Sequence, residues 1–181
     1  MDQATAIRVL SEWDARGRYV YTKHDLAKLF PEDSAKTLAE GLRRLVKAGI
    51  LQRVCRGIFV YSFARSWDSY IIEHIAKALR RGEYNYISLE SALSEYGMIS
   101  QVPVDRLTVM TTGRKGECRT TYGTIEFTHT KRSIRAILAS IKDVGRPLHI
   151  ATPEAAWRDL KRVGRNTHLV DEGALRDART S

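Results

Sequence analysis

Apolar positions recur at helical spacing through the first fifty residues and set out the elements there. Across 3–16, Ala6, Ile7, Leu10 and Trp13 return every three or four residues, which predicts a helix that ends at Gly17. Tyr19-Val20-Tyr21 reads as a short extended piece. Thr22 then caps a second helix, KHDLAKLF, with Asp25 at the capping-box position and Leu26, Leu29 and Phe30 facing inward. Pro31 disfavours a helical Phe30 and makes the turn. A third helix opens at Asp33 or Ser34 and keeps Ala35, Leu38, Leu42, Leu45 and Val46 on one stripe. It stops at Gly49, where a left-handed residue is least costly. Leu51–Cys55 and Ile58–Tyr61 follow as two strands joined by Arg56-Gly57.

Beyond residue 65 the period changes twice. Residues 68–81 predict an amphipathic helix with Ile71, Ile72, Ile75, Ala78 and Leu79 inward, and another runs from about Ser88 to Gly97. Leu107, Val109 and Thr111 then alternate with Thr108, Met110 and Thr112, and 118–122 and 124–130 alternate around Gly123. This predicts three strands in a meander. Helical period returns over 133–142. Thr152-Pro153-Glu154 opens a last helix, with Pro at the first helical position. Its inner face is Ala156, Trp157, Leu160 and Val163; Arg158, Lys161, Arg162 and Arg165 lie outside. The charged tail from Val170 reads as loose. The predicted fold class is α+β: an N-terminal winged helix-turn-helix over 1–65, then a mixed helix/antiparallel β-meander domain over 66–181.

Charge sharpens the reading of the third helix. The 181 residues carry 30 Lys+Arg against 21 Asp+Glu, a formal net charge of +9. Residues 1–65 hold twelve of those cations against seven anions, so basicity is densest where the helix and hairpin lie. An excess of this sign suits a polyanionic partner. Lys36, Thr37, Glu40, Arg44 and Lys47 occupy the outer face of the third helix, with Arg43 beside it. A helix with one charged face is by itself ordinary solvated surface. A basic helix followed at once by a hairpin with Arg53 and Arg56 at its tip matches a recognition helix and wing, the helix entering a major groove and the wing meeting the backbone. Lys23 and Ser34 complete the expected DNA-contacting set. Within it Thr37 and Arg44 are placed nearest the bases, and Lys36 and Lys47 on phosphates.

Three stretches after residue 80 resemble one family when taken together. YNYISLESALSEYG, ISQVPVDRLTVMTTGRK with GTIEFTHT, and ATPEAAWRDLKR are similar, in that order, to elements of AbiEi-type antitoxins. LVKAGILQRVCRGIFVY resembles the N-terminal winged helix of that family. The resemblance implies the antitoxin of a type IV toxin–antitoxin system. It would repress its own operon through double-stranded DNA and counteract a nucleotidyltransferase-like toxin with or without a direct complex. Arg158, Lys161, Arg162 and Arg165 are the side chains singled out for that second task. The chain is shorter at its C-terminal side than fuller family members.

Other chemistry finds little footing. The two cysteines, Cys55 and Cys118, form no CxxC pair, and no His/Cys cluster has zinc spacing. The five histidines are scattered. GxSxG is absent, and GRKG at 113–116 lacks phosphate-loop spacing. The alternative kept open is a nucleic-acid-processing enzyme, a metal-dependent nuclease built on Asp105, Glu117, Glu126 and Lys115. The leading reading has no catalytic residues, metal or cofactor. The N-terminus does not read as a signal peptide and no run of apolar residues is long enough to span a membrane, so the expected location is the cytoplasm.

Overall fold

The computed structural model describes residues 1–99, 105–171 and 173–174, and among these the chain is α+β. It divides after Leu79 into two compact units. The division therefore falls beyond the expected 65/66 boundary, for a packing reason given below.

The first unit runs α1 (Gln3–Asp14), β1 (Val20–Thr22), α2 (Lys23–Leu29), α3 (Ala35–Lys47), β2 (Leu51–Cys55), β3 (Ile58–Tyr61) and α4 (Ile71–Leu79). The three strands form one antiparallel sheet in the order β1-β3-β2, with Val20 opposite Val60 and Arg53 opposite Phe59. Leu10, Tyr19, Tyr21, Leu26, Leu45, Leu51 and Val60 are almost fully buried and make the core. Thr22 and Asp25 close the capping box on α2 as the sequence predicts. Two apolar residues leave their predicted stripe: Ile7 is 38% exposed and Ala35 is exposed. The buried line of α1 is Ala6, Leu10 and Asp14 instead. Asp14 is tolerated inside because it accepts hydrogen bonds from the Arg65 and Ser66 backbone N–H groups and from the Ser66 hydroxyl. Burial works against its charge, but those bonds win and hold the carboxyl below the usual range.

Helix α4 belongs to this unit because its apolar face closes on β1 and β3, leaving Ile75 and Ala76 without solvent exposure. It begins three residues later than predicted. Asp68, before its first turn, accepts from the Tyr19 hydroxyl, the Tyr70 N–H and His74, an arrangement that holds the connector against the core.

The second unit contains a six-stranded mixed sheet. Its elements are β4 (Asn85–Ile87), α5 (Leu89–Glu95), β5 (Arg106–Thr111), β6 (Gly116–Thr120), β7 (Gly123–His129), α6 (Ile134–Leu138), β8 (Ile141–Lys142), β9 (His149–Ala151) and α7 (Pro153–Val163). The strand order is β6-β7-β5-β4-β9-β8. The predicted antiparallel meander is thus corrected: β5 and β7 pair in parallel, Val109 facing Phe127, and β6 lies outside β7. Burial accounts for the swap. Leu107, Val109, Ile125 and Phe127 are buried, whereas GECRT of β6 is largely exposed and suits an edge. The predicted helix over 133–142 breaks at Leu138. The Ser140 hydroxyl donates to the Ala136 carbonyl, and Ile141–Lys142 joins the sheet.

Val170, expected in a loose tail, is buried and bridges Ile99. The rest of that tail from 175 onward, and 100–104 within the family-like stretch, lie outside the described residues. No helix among the described residues is long and apolar enough to cross a membrane.

Candidate nucleic-acid interface

Helix α3 and the β2–β3 hairpin build the site. The Ser34 side chain accepts from the Thr37 N–H at 3.2 Å and caps α3. Leu38, Gly41, Leu42 and Leu45 bury one side of the helix. The side opposite is Lys36, Glu40, Arg43 and Lys47, which recur at steps of four, three and four and so form a single ridge along the helix. All four are exposed and, among the described residues, have no ion pair or hydrogen bond from the side chain.

The two flanks of that ridge differ. On one flank lie Thr37, Gly41 and Arg44. The Thr37 hydroxyl bonds to Ser34 Oγ at 2.9 Å, and Arg44 donates to the Met1 carbonyl at 3.4 Å. A Cβ at Gly41 would stand 2.6 Å from Met1 Cε, so the close neighbour that makes glycine fit is a side chain of this unit. The Met1 ammonium pairs with Asp33 at 2.9 Å. This flank is occupied. Thr37 and Arg44, predicted to lie nearest the bases, sit on it.

The other flank opens into a concavity of 510 Å³ between α3 and the hairpin. Leu42, Val46 and Phe59 floor it, and Lys23, Arg43, Arg53 and Arg56 rim it. Local structure explains why the rim converges. The Lys23 N–H donates to the Gly57 carbonyl at 2.9 Å, which brings the start of α2 beside the hairpin tip. Gly57 turns the tip at φ +80°, a conformation that other residues rarely adopt. The strand register shifts between Arg53 and Cys55. All four rim cations are exposed and lack ion pairs among the described residues. Four like charges around one hollow raise its potential and favour an anionic occupant. Arg43, which the sequence placed only beside the outer face, is the residue that joins ridge to hollow. Its helical position relative to Lys36 and Lys47 was the available signal.

The C-terminal basic residues are arranged otherwise. Arg158 donates to Ser140 Oγ at 3.3 Å, Arg162 donates to the His129 carbonyl at 3.2 Å, and the Lys161 ammonium lies 5.3 Å from the Trp157 ring centroid. All three remain exposed. Arg165 does not belong to that outer face: it clamps Glu90 through two nitrogens at 2.8 and 3.2 Å and reaches Glu126 at 2.6 Å. Partial burial would pull the guanidinium down, but these carboxylates hold it well above the ordinary arginine value. Glu90, 5% exposed, is held below the usual range by the same pair and by Asn166, against the pull of burial.

The family-like stretches meet in this unit. Ser88 and Tyr86 donate to the fully buried Asp159 at 2.9 and 3.3 Å, and Arg132 pairs with it at 3.3 Å. Ser91 and Thr108 exchange hydrogen bonds at 3.0 and 2.9 Å. Their polar residues therefore join strand, sheet and helices from within. Two of the three carboxylates considered for a nuclease, Glu117 and Glu126, are engaged too. Glu117 faces Glu126 across β6 and β7, and Arg106 bridges both at 3.1 and 2.8 Å. Among the described residues, no group of three or more His, Cys, Asp or Glu is placed to share a metal ion.

Neither a comparison with protein-family models nor one with curated proteins finds a match for the chain. Among solved structures it is similar to a protein from Mycobacterium tuberculosis described as the RV2827C protein. The TM-score is 0.58 and the identity 17%, and the match covers all of this chain and 73% of that one. At that identity the likeness concerns the fold.

Proposed function

We propose that this protein is a DNA-binding transcriptional repressor whose first unit is a winged helix-turn-helix. Helix α3 is its recognition helix and the β2–β3 hairpin its wing. The observation that carries the reading is the run of cations, unpaired among the described residues, from the α3 ridge into the hollow: Lys36, Arg43 and Lys47 on the helix, with Lys23, Arg53 and Arg56 around the groove. A B-form major groove admits a helix, and the apolar floor with its cationic rim suits a sugar–phosphate strand passing beside it.

The resemblance to AbiEi-type antitoxins extends the proposal. The DNA is the protein's own promoter, the operon encodes a nucleotidyltransferase-like toxin, and the second unit supports its neutralisation. Arg158, Lys161 and Arg162 are the exposed cations that serve there. Arg165 is left out because its charge is spent on Glu90 and Glu126.

Binding of the full chain to duplex from upstream of its own gene tests the first part. Affinity is expected to fall by orders of magnitude between about 50 and 200 mM salt, and K36A/R43A/K47A to abolish binding. Wild-type protein that fails to distinguish this duplex from a scrambled one at any salt overturns it. Co-expression with the neighbouring open reading frame tests the second part: the triple variant loses repression and keeps rescue of growth. An Arg158/Lys161/Arg162 alanine variant that rescues fully removes that face from neutralisation.

A further inference from the structure

We infer that Glu40 is the residue of α3 that selects a base, and that the base is cytosine. The inference rests on the DNA-binding reading above and goes beyond it by naming what is read.

Glu40 stands in the middle of the ridge. Lys36 precedes it by four residues and Arg43 follows by three, the two spacings at which side chains meet on a helix surface. It is exposed, yet it pairs with neither cation, nor with anything else among the described residues. The Arg165–Glu90, Arg165–Glu126 and Arg106–Glu126 pairs show carboxylates of this chain that do close on arginines, at 2.6 to 3.2 Å. The one carboxylate on the outermost line of α3 thus stands unpaired, among the described residues, between two charges opposite to its own.

On a surface that meets phosphates an open carboxylate is repelled by every sequence alike, so it weakens binding unless a donor meets it. An ionised carboxylate only accepts hydrogen bonds. In the major groove the exocyclic amines of cytosine and adenine are the donors. Adenine sets its N7 acceptor beside that amine, facing the second carboxylate oxygen, whereas cytosine presents its N4 amine without a neighbouring acceptor on the same base. Cytosine is therefore the base Glu40 fits. Wrong sequences leave the charge desolvated and unmatched, which makes Glu40 a device for rejecting them as much as for binding the right one. Lys36 and Lys47, at either end of the ridge, supply the charge that offsets this loss.

The experiment is selection of binding sites from a randomised duplex library by the full-length protein, E40Q and E40A. Glutamine offers both a donor and an acceptor and fits adenine N6 and N7. The wild-type site is expected to hold a cytosine at one position, preferred by roughly tenfold. E40Q is expected to replace it with adenine and E40A to accept any base there, with the other positions unchanged. Both variants are expected to bind random duplex more tightly than wild type. Thermal melting controls for folding, which a substitution at this exposed position, without a polar partner among the described residues, leaves intact. A wild-type site recovered unchanged by both variants overturns the assignment while leaving DNA binding in place. A wild-type protein that enriches no site overturns both.

Discussion

At the scale of single residues, the arginines are sorted by what already holds them. Arg43 and Arg44 are neighbours in sequence, but one helical step of about 100° sends Arg43 to the open hollow and Arg44 to the flank covered by Met1. R43A is therefore expected to weaken promoter binding by about 1–3 kcal/mol, the range for losing a contacting arginine, and R44A by well under 1 kcal/mol. Fluorescence anisotropy with labelled duplex measures both, and equal losses would return Arg44 to the interface. Arg165 is the opposite case. R165A leaves the buried Glu90 carboxylate without its guanidinium and is expected to destabilise the second unit by about 3 kcal/mol, the low end for breaking a buried pair, because Arg165 is itself partly exposed. The pH dependence follows from the sign of the shift. Glu90 has a folded value below its ordinary 4.5, so its contribution is complete above that pH and is lost as the pH falls through the folded value. In R165A, burial is left to push the same group upward. The stability gap between wild type and R165A is thus expected to narrow on acidification from pH 7 to about 3, followed by thermal melting. A gap that widens would mean that Glu90 is not the partner that matters.

At the scale of elements, α3 and the hairpin divide the work between shape and charge. Ser34 was expected among the DNA-contacting residues; the structure gives it the N-cap of α3. S34A is expected to lower stability by about 1 kcal/mol in denaturant unfolding, with DNA affinity changing much less. A large loss of affinity in a protein of unchanged stability would make Ser34 a contact after all. The hairpin presents Arg56 at a tip whose backbone carbonyl already anchors Lys23. If the wing meets phosphates, R56A weakens binding to promoter and random duplex alike and lowers the slope of log affinity against log salt by about 1. A loss confined to the promoter would instead show that the wing reads bases.

At the scale of the whole molecule, the boundary after Leu79 has a consequence for dissection. Residues 1–65 lack α4, whose Ile75 and Ala76 are wholly buried against the first sheet, and lack Asp68, which accepts from the Tyr19 hydroxyl. A fragment ending at residue 65 exposes that apolar face and is expected to unfold without a cooperative transition. One ending at residue 79 is expected to melt cooperatively and to retain DNA binding. Circular dichroism melts of the two fragments decide it, and a cooperative 1–65 fragment would show that α4 is dispensable.

Local signals carried much of the first unit. Its strands β2 and β3 fall at the residues predicted, because alternation, the turn at Arg56-Gly57 and the stop at Gly49 are written in near neighbours. The caps at Thr22, Ser34 and Thr152 were legible for the same reason. The charged ridge on α3 could also be read, since helical spacing alone places Lys36, Glu40 and Lys47 together. Three matters were decided only by the tertiary structure. Strand direction was one: alternation is the same for parallel and antiparallel neighbours, and only the demand to bury Ile125 and Phe127 beside β5 put GECRT at the edge. The strands β4, β8 and β9 were another, being two or three residues each and too short for a period to show. The fate of charges was the third. Arg158, Arg162 and Arg165 share one helix pattern in the sequence. Yet Arg165 pairs with Glu90 and Glu126, 75 and 39 positions away along the chain, and no local rule reaches that far.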